Sequence, residues 1–225
     1  MAALGTGAKA PDFELKTLDG KRGSLGEELS RGPVVLAFFK ASCPTCQYAF
    51  PFLERLHRAY AGPTREGQPQ GLKPASSRDG DAALKGRSST GRSFTGRSFT
   101  NRSSLGSDPA VKGVSSTRGE LPHSVRLIGI SQNDAKETAA FIREFGVTFP
   151  VLLDDARSYV VSNAYGLTNV PSIFYVAQDG NIEVSSVGWM KADFEDVSRR
   201  MAEAGRMAPA VMFRPGEDVR DFQAG

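Results

Sequence analysis

Val34-Val35-Leu36-Ala37-Phe38-Phe39-Lys40-Ala41-Ser42-Cys43-Pro44-Thr45-Cys46 decides the reading of this 225-residue chain. Its first six residues are an apolar run of strand length, β-branched or aromatic, and indicate a buried strand. Beyond the second cysteine the apolar spacing becomes helical, through Ala49, Phe52, Leu53, Leu56 and Tyr60. The cysteines therefore stand where a strand feeds a helix. A cysteine at a helix start faces unpaired backbone N–H groups and the positive end of the helix dipole, which favour its thiolate. Pro44 suits the first helical position, where no N–H is needed. Cys43 and Cys46 are the only cysteines in the chain, and their spacing lets them cycle between dithiol and disulfide. As a structural disulfide the pair would close a tiny loop and restrict the unfolded chain little. A zinc site would need more ligands, and only His57 and His123 remain, without finger-like spacing. An iron–sulfur cluster would need further cysteines or a second chain. The leading reading is a redox dithiol without metal or cofactor.

The length suits one domain of ordinary size with additions. The net charge of +3 is unevenly spread: residues 62–124 hold ten Lys and Arg against five Asp and Glu, which leaves −2 for the remainder. No apolar run approaches a membrane span. The first residues, Met1-Ala2-Ala3-Leu4-Gly5-Thr6-Gly7, have neither the basic nor the apolar region of a signal peptide. The expected location is therefore the cytoplasm, where a lone C-x-x-C is more often catalytic than structural.

Taken in order, residues 13–17 and 21–24 predict a small hairpin around Leu18-Asp19-Gly20-Lys21. Ser24 caps a short helix over 25–30, and Gly32-Pro33 ends it before the central strand at 34–39. The following helix runs to about residue 60. Pro51 lies inside it and removes one backbone hydrogen bond, and Gly62-Pro63 stops it. Residues 62–123 lose all periodicity and contain short copies: Gly86-Arg87-Ser88-Ser89-Thr90, Gly91-Arg92-Ser93-Phe94-Thr95 and Gly96-Arg97-Ser98-Phe99-Thr100. Such composition buries too little surface to offset ordering entropy, so this segment reads as a disordered, basic, low-complexity insertion. A weak nucleic-acid site built on its arginines, Phe94 and Phe99 is the lesser reading beside an inert loop.

Periodicity returns with a strand at 125–130, a helix over 135–145 capped by Asp134, and a strand at 151–153. Asp154-Asp155 reads as the cap of a helix over 156–165. Strands at 172–176 and 182–187 flank the turn Gln178-Asp179-Gly180-Asn181. A last helix covers 191–204, and residues 205–225 form an extended tail. Residues 1–61 and 124–204 then make one α/β domain, a central mixed sheet with helices on both faces and an N-terminal hairpin.

These features resemble the thioredoxin-like superfamily over residues 11–61 and 124–204. The strand–C-x-x-C–helix at 34–60 matches, as does Pro51, five residues past the second cysteine. Pro171 in Asn169-Val170-Pro171-Ser172 matches the proline that is cis in that fold and faces the disulfide. The N-terminal hairpin, Phe149-Pro150-Val151-Leu152 and Tyr165-Gly166 look closest to the redoxin (AhpC/TSA) and membrane-tethered thiol–disulfide reductase branch. Two positions depart from small thioredoxins: Ser42 replaces a tryptophan, and Ala37 replaces a buried acid. The resemblance implies a thiol–disulfide oxidoreductase in which Cys43 attacks, Cys46 resolves, and Val170-Pro171 pairs with the substrate chain. Pro44, Thr45 and Pro51 shape the site. Implied partners are a protein or small-molecule disulfide and a reductase or thiol donor. Lys40 reads as a solvated strand-end residue and His57 as a surface residue too far along the helix to be a base. The alternatives are a peroxiredoxin-like thiol peroxidase, whose Pro and Thr positions are filled by Leu36 and Lys40, and a non-enzymatic binding module.

Overall fold

The computed structural model describes residues 2–60 and 125–225. The expected insertion at 62–123 lies outside the described residues. In chain order the elements are β1 (Glu14–Thr17), β2 (Arg22–Ser24), α1 (Leu25–Leu29), β3 (Val34–Phe39), α2 (Pro44–Tyr60), β4 (Arg126–Ser131), α3 (Ala135–Phe145) and β5 (Val151–Leu153). They continue through α4 (Val160–Ala164), β6 (Ser172–Val176), β7 (Ile182–Val187), β8 (Trp189–Met190), α5 (Lys191–Gly205) and β9 (Phe222–Gln223).

Seven strands form one mixed sheet in the order β2-β1-β5-β4-β3-β6-β7. β3 lies inside it, parallel to β4 and antiparallel to β6. All six residues of β3 are buried, because helices cover both faces. Val35, Ala37 and Phe39 join a core with Leu53 and Leu56 of α2, Phe141 of α3, and Phe194, Val197 and Met201 of α5. Val34, Leu36 and Phe38 face the opposite core, with Leu25 of α1, Val161 of α4 and Phe13. The alternation of a strand thus divides one apolar run between two layers. The structure has the expected architecture: a thioredoxin-like mixed α/β sheet with an N-terminal hairpin.

The helix starts follow from local chemistry. Ser24 Oγ accepts from the Glu27 N–H, and Asp134 Oδ1 accepts from the Glu137 N–H, each filling one of the orphan donors of a first turn. α3 ends at Gly146 in the left-handed conformation, φ 62°, which glycine adopts without a Cβ penalty. α4 is shorter than the expected helix over 156–165. Tyr159 sits at φ 49° and breaks the helical path, while Asp155 binds the N–H groups of Arg157 and Ser158 in a separate turn. The buried Asp154 carboxylate accepts from the N–H groups of Val161 and Ser162 at the start of α4.

Residues 206–225 run back along α2 toward its N-terminus. The Ala210 N–H donates to Tyr60 Oη at 2.6 Å, and Phe213 packs against Phe52. Arg55 makes a bidentate pair with Glu217 at 2.7 and 2.8 Å, and this pair holds the Glu217 carboxyl down at about 2. The Arg220 N–H donates to Tyr48 Oη at 3.0 Å. Two-residue strands β8 and β9 then pair antiparallel.

Candidate active site

Cys43 ends the turn that leaves β3, and Cys46 lies on the first turn of α2. The turn is held from three sides. The Cys43 N–H donates to the Lys40 carbonyl at 3.1 Å, Asn133 Oδ1 accepts from the Ala41 N–H at 2.7 Å, and Gln47 Nε2 donates to the Ala41 carbonyl at 2.9 Å. Cys43 is half-buried and Cys46 is buried; neither is in a disulfide. Their environments push the two thiols apart. Cys43 is lowered from 9.0 to about 6, first by the hydrogen bond from Cys46 and then by the backbone N–H groups of Cys46 and Thr45, against the effect of burial. The Cys46 N–H lies 3.3 Å from Cys43 Sγ. Cys46 is driven far above the ordinary thiol range, first by burial and then by its bond and charge contact with Cys43. At pH 7 about nine-tenths of Cys43 is thiolate, while Cys46 retains its proton.

Val170 and Pro171 meet the cysteines across the sheet end. As a thiol, Cys43 Sγ donates to the Val170 carbonyl at 3.2 Å, and the Val170–Pro171 peptide bond is cis. Pro44 and Thr45 lie between the cysteines. Thr45 is buried: its hydroxyl donates to the Ala224 carbonyl at 2.6 Å and accepts from Gln223 Nε2 at 2.9 Å. Pro51 lies farther along α2 and is exposed; with no N–H, it leaves one carbonyl of the preceding turn without its helical donor.

A cleft of about 500 Å³ opens beside Cys43, lined also by Lys40, Gln132, Tyr159, Asn169, Val170 and Gly225. Lys40 differs from the solvated residue expected of a strand end. It is half-buried, and its ammonium donates to Tyr159 Oη at 3.2 Å. His57 is also half-buried, edge-on to the Phe149 ring at 5.7 Å, and burial lowers its pKa. Among the described residues, no group of three His, Cys, Asp or Glu side chains could hold a metal ion. Sequence reasoning missed Tyr159 and the tail. The tail contacts did leave a signal: Thr45, Tyr48, Phe52, Arg55 and Tyr60 recur at helical spacing, so α2 carries a second face that needs a cover.

A model of the AhpC/TSA family matches residues 6–65, the part that holds both cysteines. The structure of a putative protein disulfide isomerase from Bacteroides thetaiotaomicron superposes with a TM-score of 0.58 at 17% identity, covering 92% of this chain and 95% of that one. A putative thiol:disulfide interchange protein DsbE from Chlorobium tepidum gives 0.56 at 16% identity, over 90% and 99%. The chain has the thioredoxin-like fold of these structures. In sequence it is similar to the thiol-disulfide oxidoreductase ResA of Geobacillus thermodenitrificans (strain NG80-2), 22% identical over 199 residues, which are 88% of this chain and 78% of that protein.

These relatives correct one expectation. DsbE- and ResA-type homologues are extracytoplasmic, which overturns the cytoplasmic location read from the first residues. The physical reason is that C-x-x-C pairs serve in reducing and oxidising compartments alike, with potentials spread over roughly 150 mV. The motif therefore carries no address. No helix among the described residues is long and apolar enough to cross a membrane.

Proposed function

We propose that the protein is a thiol–disulfide oxidoreductase that works through Cys43 and Cys46. The observation that carries this reading is the split between the two thiols: one half-buried with a pKa of about 6, the other buried and protonated. The Cys43 thiolate attacks one sulfur of a substrate disulfide. A Cys43–substrate disulfide forms, the substrate S–S bond breaks, and the first substrate thiolate leaves. This step consumes the Cys43 charge, and with it the charge contact that helps hold the proton on Cys46. Cys46 then loses its proton and attacks Cys43 Sγ, releasing the second substrate thiolate. Two electrons pass to the substrate, the two thiolates take up two protons, and the Cys43–Cys46 pair is left as a disulfide. A reductase or thiol donor returns the pair to the dithiol.

Val170 and Pro171 form the substrate-facing wall, and Pro44 and Thr45 hold the turn that presents Cys43. The substrates are disulfides of proteins or small molecules. The test is insulin-type disulfide reduction and peroxide consumption measured in parallel, on wild type and Cys43→Ser. Disulfide reduction that Cys43→Ser abolishes supports the reading. Peroxide consumption without disulfide reduction would sink it, and would favour the peroxidase reading that the AhpC/TSA match over residues 6–65 keeps in view.

A further inference from the structure

Residues 222–225 lie against the cleft beside Cys43, between its Thr45 and Val170 sides. Three observations place them there. Thr45, inside the Cys-Pro-Thr-Cys turn, holds them through Ala224 and Gln223. Asn169 Nδ2 donates to the Gly225 backbone oxygen at 3.1 Å. Gly225 itself presses on the wall beside the sulfur: a Cβ there would fall 2.5 Å from the Val170 carbonyl oxygen, the atom that accepts from Cys43. The approach on the other side is as close, since a Cβ on Gly188 would lie 2.7 Å from the Gln223 carbonyl oxygen. The segment thus bridges the Thr45 side and the Val170 side of the site, and Gly225 lines the cleft shared with Cys43.

The same segment is lightly held. None of residues 222–225 is buried, and Phe222 is 57% exposed. The firm anchors come earlier: Met212 is buried, Arg55 holds Glu217, and the buried Trp189 donates through Nε1 to the Arg220 carbonyl at 2.6 Å. Lifting 222–225 would break the two-residue pairing of β8 with β9 and the polar contacts to Thr45 and Asn169, and would leave in place the anchors at Met212, Glu217 and Arg220.

We propose that residues 222–225 are a removable strap across the polypeptide approach to Cys43. With the strap down, the cleft beside Cys43 admits small disulfides; polypeptide disulfides react only when the strap lifts. The proposal rests on the oxidoreductase reading for its substrate classes, and its main test does not depend on turnover. That test compares the alkylation rates of Cys43 in the full chain by iodoacetamide and by a maleimide carried on an extended peptide. Gly225→Val, which cannot seat against Val170, is expected to raise the peptide-maleimide rate about fivefold, the effect of losing about one hydrogen bond's worth of closure. The iodoacetamide rate should change less than about twofold, since the Cys46 thiol and the N–H groups of Cys46 and Thr45 that favour the Cys43 thiolate all lie outside the strap. Gln223→Ala, which removes the side-chain bonds to Thr45 and Arg220 and leaves Gly225 seated, should give a smaller rise and carries the test if thermal melting shows Gly225→Val to be unfolded. Insulin reduction should rise in parallel while reduction of 2-hydroxyethyl disulfide does not. An unchanged or lower peptide-maleimide rate in folded variants would overturn the strap. A raised rate without insulin reduction in any variant would keep the strap and remove the oxidoreductase reading.

Discussion

Removing the Cys46 thiol should raise the pH at which Cys43 ionises. Cys43 stands at about 6 instead of 9.0, and the hydrogen bond from Cys46 is the largest cause. A hydrogen bond to a charged group contributes about 1.5–3 kcal/mol, which corresponds to about 1–2 pH units at 1.36 kcal/mol per unit. Cys43 is half-exposed, so water replaces part of the lost bond and the lower end of the range applies. In Cys46→Ala the midpoint should therefore move from about 6 to about 7. At pH 6 the thiolate fraction would drop from about one half to about one tenth, and alkylation would slow about fivefold. Cys46→Ser keeps a donor and should lie between wild type and Cys46→Ala. The assay is the rate of iodoacetamide alkylation against pH, with thiolate ultraviolet absorbance as a second readout. Neutral-pH labelling of wild type should fall on Cys43 before Cys46. A Cys46→Ala midpoint still at about 6 would refute the reasoning and leave the helix start alone to hold the thiolate.

Further outcomes follow from the same structure. Cys43 ionises more easily folded than unfolded, so its contribution to stability is fully present above pH 9 and is lost as pH falls through about 6; denaturant unfolding should show the reduced protein gaining stability over Cys43→Ser between those limits, and parallel curves would contradict the lowered value. Glu54 is buried and accepts from the Thr148 N–H and hydroxyl at 2.8 and 2.6 Å and from Arg58. Glu54→Ala strands these donors and should cost about 1–3 kcal/mol in urea unfolding, while leaving the alkylation profile of Cys43 in place. On composition, exchanging residues 64–120 for a short Gly/Ser linker should preserve thermal unfolding and turnover, since loop closure depends only logarithmically on length; a collapse of either would end the inert-loop reading of the insertion.

Much of the fold was legible because its signals are local. The six-residue apolar run of β3, the switch to helical spacing after Cys46, the Asp179-Gly180 turn and the Asp134 cap each depend on neighbours within a few positions. The dithiol was equally visible, as were the types of residue around it. What stayed hidden depends on contacts between distant parts of the chain. The sequence shows that Val170-Pro171 is unusual, but only the pairing of β3 with both β4 and β6 brings its carbonyl to Cys43, 127 positions away. Periodicity over 156–165 reads as one helix because it does not register Tyr159, whose left-handed backbone divides the segment and sets its ring beside Lys40. Residues without period, such as those after Gly205, look extended from any local window. Their course along α2 is set by single contacts to Tyr60, Arg55, Tyr48 and Thr45. The sequence by itself determined the layers, the central strand and the chemistry of the sulfur pair, since hydrophobic period and cysteine spacing are written in neighbouring residues. Only the tertiary structure decided which groups hold the poised thiol and what covers it, because burial and hydrogen-bond partners are properties of the packed chain.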